Sequence, residues 1–398
     1  MKIAMLTSFF YPHLGGTEKY VEDLSIALQK RGHSVTIFTH TPSKNGRDDS
    51  HKGVDIHRIP SLWGQYQPIA TFFDYKELAN YDVVHSHLPP YIFTRRMSRY
   101  LSGQPHVATY HCDIEINEKY WFFRIPKWFV RLLNSYFTWL AERALVGCDR
   151  IIVTSQSYGA ESPVIPKFDA DVIPVGVDPL LFEEAARRIE PTIKPRRPER
   201  LLYVGRLVPS KGVETLIEAV AHLRAMGRSV ELTIVGVGDY YAALKRMVKS
   251  LDLADKVTFS GRLSFDDLVR AYSEASMLVL PSVLRLEAFG IVQLEALTLG
   301  TPVIASNLPG VREIVERTGG GYIFERGNAA DLAAKIDSAM ADWEGTLRRG
   351  AAGRGYVYSH YSWDVIAEQF ERVYIEAGKK SLPVYAKPRS RLLRALES

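Results

Sequence analysis

The strongest constraint on the fold is a regular alternation of short apolar runs and helix-type segments in the second half of the 398-residue chain. Repeats of strand, helix and strand predict a doubly wound parallel sheet, in which ligands bind at the carboxyl ends of the strands. The strand-type runs begin at Leu201, Glu231, Lys256, Ser276 and Pro302, and the helical patterns that follow them begin near Gly212, Tyr240, Phe265, Glu287 and Val311.

The first half of the chain shows the same organisation. Ile3–Leu6 is a short apolar run typical of a buried strand, and a turn-forming segment with Gly15 and Gly16 follows it. We expect Thr17 to cap the next helix and Gly32 to end it. These features predict a parallel α/β domain here as well. Further strand-type runs lie at 83–84, 107–108 and 151–153.

The composition changes between the two halves. Residues 185–200 contain three prolines and six basic residues without apolar periodicity, which is typical of a linker. We therefore expect a Rossmann-like domain at 1–180, a linker at 181–200, a second Rossmann-like domain at 201–375 and a basic tail at 376–398. Two such domains predict a ligand site in the cleft between them. The alternative is rigid packing of two halves with no ligand between them.

Composition excludes several classes of protein. Cys112 and Cys148 are the only cysteines, too few for a disulfide framework or a Cys-based zinc site. A net charge of +5 gives no argument for nucleic acid as a partner. The sequence has no apolar window long enough to span a membrane and no signal peptide, so we expect a cytoplasmic protein, soluble or peripherally attached to the membrane.

Two pairs of charged residues stand next to predicted strands. Arg206 and Lys211 lie between a strand and a helix, where two cations could clamp a diphosphate. The alternative is a pair of solvated surface charges. Glu287 and Glu295 lie in an otherwise apolar stretch, where an ionised carboxylate is costly unless it is partnered. They could accept hydrogen bonds from sugar and ribose hydroxyls, or they are surface glutamates of an amphipathic helix.

Two further motifs point to chemistry that we reject. Asp169 and Asp171 have the spacing of a divalent-metal pair, but no other carboxylate cluster accompanies them, and we interpret them as a solvated turn. The glycines from Gly236 begin a dinucleotide-binding fingerprint, yet Tyr241 stands where its third glycine belongs. The sequence therefore predicts neither a metal site nor a nicotinamide site.

Six segments together carry a resemblance to a known family. They are GGTEKYVEDLSIALQKRGHSVTIFT, VIPVGVD, GRLVPSKG, IVGVGDYYAALK, VTFSGRLS and the Glu287–Glu295 spacing followed by GTPVIAS. In this order they resemble the retaining family 4 glycosyltransferases of GT-B fold, from Met1 to about Gly378. Two positions depart from the family pattern, because Val175 replaces an asparagine and Ala288 replaces a glycine.

The resemblance implies an α/β GT-B fold, with two Rossmann-like doubly wound parallel-sheet domains facing a deep interdomain cleft. The acceptor would lie on the side of the N-terminal domain, and the C-terminal domain would bind the nucleotide sugar. The implied reaction is a retaining, metal-independent transfer of a hexose or N-acetylhexosamine from a nucleotide-diphosphate sugar. The resemblance implies no further cofactor, and we favour a UDP-sugar over a GDP-sugar as the donor.

The resemblance also assigns roles to single residues. His111 would touch the donor sugar near the reacting carbon, and Glu287 would bind its hydroxyls. Arg206 and Lys211 would neutralise the departing diphosphate. Our own hypothesis is a same-face substitution in which the departing phosphate helps to deprotonate the acceptor. Glu295 would bind the ribose, and the backbone at 262–263 would read the base. The complete donor-binding set would comprise Gly15, Gly16, Arg262, Leu263, Phe289, Gly290, Ile291, Val292 and Glu295.

The segment from Lys119 to Leu140 indicates where the acceptor lies. It has nine aromatic and four basic residues and no acidic ones, which suits a membrane interface with anionic headgroups. Pro126 predicts two short helical pieces, and the basic tail adds further positive charge. We therefore expect a lipid-linked glycan or phospholipid acceptor at the inner face of the cell membrane. The alternative for the segment is an aromatic helix packed on the N-terminal core.

Other functions remain open on the sequence. The acceptor could instead be a soluble small molecule or sugar. A nucleotide-sugar epimerase or phosphorylase has a similar architecture, although a phosphorylase would need a cofactor-linked lysine that the sequence does not identify. A non-catalytic membrane scaffold that keeps the cleft is the alternative from outside the enzymes, and it predicts the loss of charged residues that are present here.

Overall fold

The structure is a computed structural model that describes residues 1–13, 15–41, 48–63, 68–71, 73–89, 91–97, 101, 103–116, 119–120, 123–124 and 126–379. The chain forms two compact units. Unit 1 comprises Met1–Gly176 together with the segment from Trp363 onward, and unit 2 comprises Val177–Ser362.

Unit 1 is built around a mostly parallel sheet. Its elements are β1 (Lys2–Thr7), α1 (Gly16–Lys30), β2 (Ser34–Thr41), β3 (Asp49–His51), β4 (Val54–Trp63), β5 (Pro68–Thr71), β6 (Val83–Leu88), α2 (Tyr91–Met97), β7 (His106–Tyr110), β8 (Lys119–Tyr120), β9 (Phe123–Arg124), α3 (Lys127–Leu145), β10 (Arg150–Val153), α4 (Gln156–Glu161), β11 (Ala170–Val172) and, after unit 2, α13 (Trp363–Lys379).

The strand order of unit 1 reverses beside β1. The order is β11-β10-β7-β6-β1-β2-β4-β3, and β3 and β5 pair antiparallel with β4. All residues of β6 and β7 are buried, because helices cover both faces of a parallel sheet. The reversal places a topological switch point between β1 and β6, where the chains leaving the two strands diverge and leave a crevice.

Unit 2 alternates strands and helices in the way that the sequence predicts. Its elements are α5 (Pro179–Ile189), β12 (Arg200–Val204), α6 (Val213–Ala225), β13 (Glu231–Val235), α7 (Tyr241–Ser250), β14 (Val257–Gly261), α8 (Phe265–Glu274), β15 (Met277–Leu280), α9 (Ile291–Thr298), β16 (Val303–Ser306), α10 (Val311–Thr318), β17 (Gly321–Phe324), α11 (Ala329–Ala341) and α12 (Trp343–His360).

The sheet of unit 2 has the strand order of a doubly wound nucleotide-binding fold. The order β14-β13-β12-β15-β16-β17 is parallel throughout. Its switch point lies between β12 and β15, so the loops that follow these two strands border the crevice where this architecture binds ligands. The predicted fold class of two parallel-sheet α/β domains is therefore confirmed.

The predicted domain boundaries differ from the two units. The predicted linker at 181–200 belongs to unit 2, where most of its first half is helix α5. The predicted second domain runs to 375, but α13 belongs to unit 1, where Phe370 and Tyr374 are buried. The predicted tail begins inside this helix, and its residues 380–398 lie outside the described residues.

Three local predictions also need correction. Helix α1 begins at Gly16 with Gly15 as its N-cap residue, so Thr17 is inside the helix and caps nothing. The helical pattern placed near Glu287 begins only at Ile291, and Glu287 lies in the preceding loop. Asp171 lies on strand β11 and pairs with Arg150 at 2.6 Å, so it is not part of a solvated turn.

The aromatic segment forms one helix where two short ones were expected. Pro126 is the N-cap residue of α3, which runs uninterrupted to Leu145, and the residues before it include the short β8–β9 hairpin. A proline is tolerated at a helix start because its missing N–H needs no partner there. Within the described residues, no helix is long and apolar enough to cross a membrane.

Arg196 shows why the predicted linker is fixed in place. Its guanidinium donates hydrogen bonds to the backbone oxygens of Ser273, Leu299 and Gly300 and to the hydroxyl of Thr301, at 2.6–2.8 Å. Two of these oxygens follow the last turn of α9, where helix carbonyls lack partners. Burial lowers the pKa of Arg196 to about 10, which leaves the guanidinium charged at neutral pH.

We expect Arg196→Met to lower the free energy of unfolding of unit 2 by about 3 kcal/mol, since it leaves several buried acceptors without their charged donor. The measurement is urea unfolding followed by circular dichroism. Arg197→Met is the matched control, because Arg197 is exposed next to it. Equal stabilities of the two variants would contradict this account.

Candidate active site

The loops after β12 and β15 of unit 2 are joined to each other by backbone contacts. The Val283 amide donates to the Ser210 carbonyl at 2.9 Å. Gly212 has a φ of 62°, and a Cβ atom there would collide with the carbonyl oxygen of Pro281. Only glycine allows this approach without strain. The contact carries the residues just before Gly212 toward the loop that follows β15.

This contact brings two of the predicted catalytic residues together. Lys211 Nζ forms an ion pair with Glu287 Oε2, and the hydroxyl of Ser282 donates to the same oxygen at 3.2 Å. The side chains are 21% and 13% exposed, so the pair is accessible but largely removed from water. A pair of this kind can offer a cation to an anionic ligand and a carboxylate to a hydroxyl once a ligand separates them.

Arg206 lies in the same loop as Lys211, after β12. Its side chain is exposed, while its carbonyl oxygen accepts a hydrogen bond from the phenol of Tyr203 at 3.0 Å. Burial raises the pKa of Tyr203, the charge of Glu287 raises it further, and the charge of Arg206 lowers it. The charges of Glu287 and Arg206 therefore both shift the pKa of the Tyr203 phenol. Positive charge is thus concentrated at the carboxyl end of β12.

Helix α9 adds backbone donors at the carboxyl end of β15. Gly290 is its N-cap residue with a φ of 80°, and Phe289 before it is buried. The amides of Ile291 and Val292 belong to the first turn, where N–H groups lack partners within the helix and favour an anion. Among the predicted donor-binding residues, Gly290, Ile291 and Val292 therefore lie together at one helix start, whose electrostatics favour an anion.

The remaining donor-binding residues of unit 2 lie at the same sheet edge. Glu295 is on α9 and accepts a hydrogen bond from the buried phenol of Tyr272 at 2.7 Å. Arg262 and Leu263 directly follow β14, two strands away from β12, and Arg262 is exposed. No hydrogen bond or ion pair joins them to Lys211 or Glu287 in the described structure. The predicted residues of unit 2 thus extend along the edge from β14 to β15.

The predicted residues of unit 1 follow β1 and β7. Gly15 and Gly16 start helix α1, and a Cβ atom at Gly16 would meet no described atom within 4 Å. His111 directly follows β7, and its amide donates to the Leu88 carbonyl at 2.9 Å. All three lie at the carboxyl ends of strands next to or at the switch point of unit 1.

His111 is held by aromatic contacts and by a second histidine. Its Nε2 lies 3.1 Å from Nδ1 of His87, and the two rings stack at 21°. The ring of Tyr20, from α1, meets His111 edge-on with centroids 4.8 Å apart. Burial lowers the pKa of His111 to about 3. The imidazole is therefore neutral at physiological pH.

Buried histidines are a general feature of unit 1. Burial lowers the pKa of each of them, to about 4 for His40 and His106. Burying a neutral imidazole costs less free energy than burying a charged one. The histidines with a lowered pKa are His40, His85, His87, His106 and His111.

Asp113 anchors the chain that follows His111. It is 6% exposed, and its carboxylate accepts hydrogen bonds from Tyr110 and Ser162 at 2.8 Å and from Tyr158 at 3.0 Å. Three hydroxyl donors satisfy the hydrogen-bonding capacity of this buried side chain. The backbone two residues after His111 is therefore fixed to helix α4 and the residue that follows it.

Sequence reasoning missed several residues of these two sites. Ser282 and Tyr203 support the charged pair of unit 2, and His87, Tyr20 and Asp113 support His111 in unit 1. One signal was readable, because His85 and His87 stand two apart in a buried strand and so lie on one face of the sheet. The side chains of Tyr203 and Ser282 gave no such signal, since their contacts to Arg206 and Glu287 depend on the conformation of the loops that follow β12 and β15.

Comparison with known proteins decides the family. The sequence model of group 1 glycosyltransferases matches residues 185–356, and that of glycosyltransferase family 4 matches residues 14–180. The chain belongs to the family 4 glycosyltransferases of GT-B fold. The two matched regions agree with unit 2 and with the main part of unit 1, whose β1 and α13 lie outside them.

Relatives and solved structures agree with this assignment. The chain is 28% identical to an uncharacterised glycosyltransferase of Methanocaldococcus jannaschii, over 94% of this chain and 98% of the relative. It is 32% identical to a GDP-mannose-dependent alpha-(1-6)-phosphatidylinositol monomannoside mannosyltransferase of Mycobacterium tuberculosis, over 51% of this chain and 54% of the relative.

Two solved structures show the fold at low sequence identity. Sucrose-phosphate synthase from Thermosynechococcus elongatus matches with a TM-score of 0.75 and 24% identity, over 94% of this chain and 98% of that one. HepE from Anabaena in complex with UDP-glucose matches with a TM-score of 0.71 and 18% identity, over 94% of this chain and 100% of that one.

The buried histidines make the stability of this glycosyltransferase depend on pH. Their pKa values are lowered in the folded state, so below about pH 6.5 the unfolded chain binds protons that the folded chain does not. The free energy of unfolding therefore falls on acidification, by about 1.4 kcal/mol per pH unit for each such histidine, until its folded pKa is reached.

We expect His106→Asn to reduce this slope by the contribution of one histidine between about pH 6 and pH 4.5, since the folded pKa of His106 is about 4. The measurement is urea unfolding across this range. At pH 8, where all these histidines are neutral in both states, the two proteins should show the same pH dependence. An unchanged slope below pH 6 would contradict the pKa assignment.

Proposed function

We propose that this enzyme is a retaining glycosyltransferase that takes its sugar from a nucleotide-diphosphate sugar bound at unit 2. The observation that carries the proposal is the Lys211–Glu287 ion pair at the switch point of the unit 2 sheet. Beside it stand the exposed Arg206 and the first turn of α9, which both favour an anion. Cations and backbone donors next to a carboxylate fit a ligand that carries a diphosphate and a sugar.

In this proposal, donor binding separates the ion pair. Lys211 and Arg206 bind the diphosphate and stabilise the charge that develops as the bond to the sugar breaks. Glu287, still held by Ser282, accepts hydrogen bonds from hydroxyls of the sugar. The two cations perform the charge neutralisation that a metal ion performs in other transferases, so we propose a metal-independent reaction.

We further propose that the sugar keeps its anomeric configuration by substitution on one face. The departing phosphate takes the proton of the acceptor hydroxyl as that hydroxyl attacks. Glu287 is engaged by Lys211 and Ser282 and is assigned to sugar binding, so it is not the nucleophile that a glycosidase mechanism needs. Trapping of a covalent glycosyl-enzyme would contradict this mechanism.

The identity of the donor comprises its base and its sugar. We propose UDP, with a hexose or an N-acetylhexosamine as the transferred group. The HepE structure holds UDP-glucose, whereas the mycobacterial relative is GDP-mannose-dependent. A thermal-shift panel of UDP-, GDP- and ADP-sugars identifies the donor, because a ligand that binds the folded state raises the unfolding temperature.

We expect Lys211→Ala and Glu287→Gln each to lower kcat/KM by about 10²-fold or more, since each removes a charged contact to the donor. Lys211→Ala should also abolish the thermal shift caused by nucleoside diphosphate alone, while Glu287→Gln should retain it, because its carboxylate is assigned to the sugar. Lys249→Ala, on an exposed site of α7, is the control. Unchanged turnover in both variants would refute the site.

We propose that the acceptor is a lipid-linked glycan or phospholipid presented at an anionic membrane. The support is the exposed face of helix α3, which carries large apolar and aromatic side chains at 39–69% exposure. Lys127 and Arg131 lie on the same helix, and Arg95 of the neighbouring α2 stacks over an α3 tryptophan at 5.2 Å. The exposed side chains are Trp128, Phe129, Leu132, Tyr136 and Trp139.

This face fits a membrane better than it fits the core of the enzyme. The exposed face of α3 is not packed on the sheet as the alternative expected. The buried residues of α3 are Val130, Leu140, Ala141, Ala144 and Leu145. Aromatic and aliphatic side chains flanked by basic ones suit the boundary between acyl chains and anionic headgroups. A soluble sugar acceptor would give this surface no role. Peripheral attachment to the inner face of the cell membrane follows from the same proposal.

We expect Leu132→Ser to reduce binding to phosphatidylglycerol vesicles several-fold in a flotation assay, and Trp128→Ser to do the same. Leu180→Ser is the matched control, because Leu180 of α5 is 61% exposed and Leu132 is 58% exposed. The control should bind like the unchanged protein. Absence of vesicle binding in the unchanged protein would remove the membrane from the proposal and leave the soluble acceptor.

A further inference from the structure

Three adjacent strands of unit 1 bring Met5, His87 and His111 into one row. Strand β6 lies between β1 and β7, and His87 pairs in register with Thr109 of β7. Met5 pairs with His85, two residues before His87, so all three side chains point to the same face of the sheet. His87 Nε2 lies 3.5 Å from Met5 Sδ, and His87 Nδ1 lies 3.1 Å from His111 Nε2.

The sulfur of Met5 determines which nitrogen of His87 carries the proton. A thioether has lone pairs but no hydrogen to donate, so it can only accept. Nε2 of His87 is therefore the protonated nitrogen, and Nδ1 presents a lone pair. Burial lowers the pKa of His87 well below its usual value, which excludes a second proton on the ring at neutral pH.

The tautomer of His87 then determines that of His111. Because Nδ1 of His87 carries no proton, the 3.1 Å contact requires His111 to donate from Nε2. The pKa of His111 is lowered to about 3, so its ring has no other proton. Nδ1 of His111 is left with a lone pair, and in the described structure it has no hydrogen-bond partner.

The neighbouring contacts do not supply the same information. His85 lies between the hydroxyls of Tyr374 at 2.8 Å and Thr109 at 2.7 Å, and a hydroxyl can donate or accept. Either tautomer of His85 is therefore satisfied. Tyr20 contacts His111 through the edge of its ring, which restricts the orientation of the imidazole but not its proton.

We propose that Met5 and His87 lock His111 in the tautomer protonated at Nε2, so that Nδ1 of His111 is a permanent acceptor for a hydroxyl of the bound sugar. His87 is thus a positioning residue that acts through His111. The tautomer of His111 follows from contacts within unit 1 alone. That a sugar hydroxyl binds to Nδ1 of His111 rests on the proposed function. In this arrangement His111 orients the sugar and donates no proton to the reaction.

The tautomer is measured directly by long-range ¹H–¹⁵N correlation spectra of the full-length enzyme labelled with ¹⁵N-histidine at pH 7.5. Spectra of His87→Asn and His111→Gln assign the two signals. We expect both histidines to show an unprotonated Nδ1 and a protonated Nε2. A protonated Nδ1 on His111 would overturn the proposal.

Met5→Leu tests the origin of the lock, since leucine is close in volume but cannot accept a hydrogen bond. We expect both tautomers of His87 and of His111 to be populated in this variant. Met97→Leu is the matched control, because Met97 is equally buried in the core of unit 1, on α2, and should leave the spectrum unchanged. An unchanged His111 tautomer in Met5→Leu would overturn the role of the sulfur.

Addition of UDP-glucose, with GDP-mannose as the second probe, tests the acceptor role. We expect the Nδ1 signal of His111 to shift as its lone pair accepts a hydrogen bond, and the donor dissociation constant to rise about twofold in Met5→Leu if half of the molecules hold the competent tautomer. A donor that raises the unfolding temperature without moving this signal would overturn the acceptor role. If neither probe binds, the proposed donor fails, while the spectrum of the free enzyme still decides the lock.

Discussion

The order of the strands in two parallel sheets is the constraint on which the chemistry of this glycosyltransferase depends. In each unit the order reverses once, beside β1 in unit 1 and between β12 and β15 in unit 2. At a reversal the loops leave in opposite directions, so the carboxyl ends of two neighbouring strands remain uncovered. Lys211 and Glu287 come from loops on the two sides of the reversal in unit 2. The strand order brings these loops together, and the opposite charges of the two side chains then form the ion pair. In unit 1 the contact between Met5 and His87 joins β1 and β6 themselves, the two strands on either side of the reversal.

The Lys211–Glu287 ion pair of unit 2 keeps two opposite charges together in a largely buried position. Removing a single charge from water is unfavourable, and an opposite charge beside it offsets part of this free-energy penalty. Ser282 keeps the carboxylate in position, and Gly212 allows the backbone approach that brings the lysine to it. In the proposed function, a ligand that carries both a diphosphate and hydroxyls would replace each partner by a new one. A ligand with only one of these features would leave one charge unpaired, which would favour binding of the complete donor.

The sequence was sufficient for the features that depend on local patterns. Periodicity predicted the strands and helices of unit 2. Six ordered segments, among them the Glu287–Glu295 spacing, led to the family that the comparisons confirm. It failed where distant contacts override composition. Residues 185–200 look like a linker because they are rich in proline and arginine, yet Arg196 satisfies the carbonyls at the end of α9, about a hundred residues later. Tyr203 and Ser282 were missed for a different reason. Their partners Arg206 and Glu287 lie only three and five residues away, but the contacts depend on the conformation of the loops, which residue patterns do not determine.

Helix α13 shows the largest of these distant contacts and has a consequence for folding. Its Tyr374 meets His85, which lies 289 residues earlier, and its Phe370 packs against Tyr20 and His85. The face of the sheet that holds His87 and His111 is therefore completed by the last described helix, after the chain has passed through all of unit 2. Contacts of such high sequence separation form late, because a long loop must close before they contribute. Without α13 the imidazole of His85 would lose the Tyr374 hydroxyl, and an unsatisfied buried polar group is destabilising. The hydrogen bonds of the buried histidines in unit 1 therefore depend on α13, at the far end of the described chain.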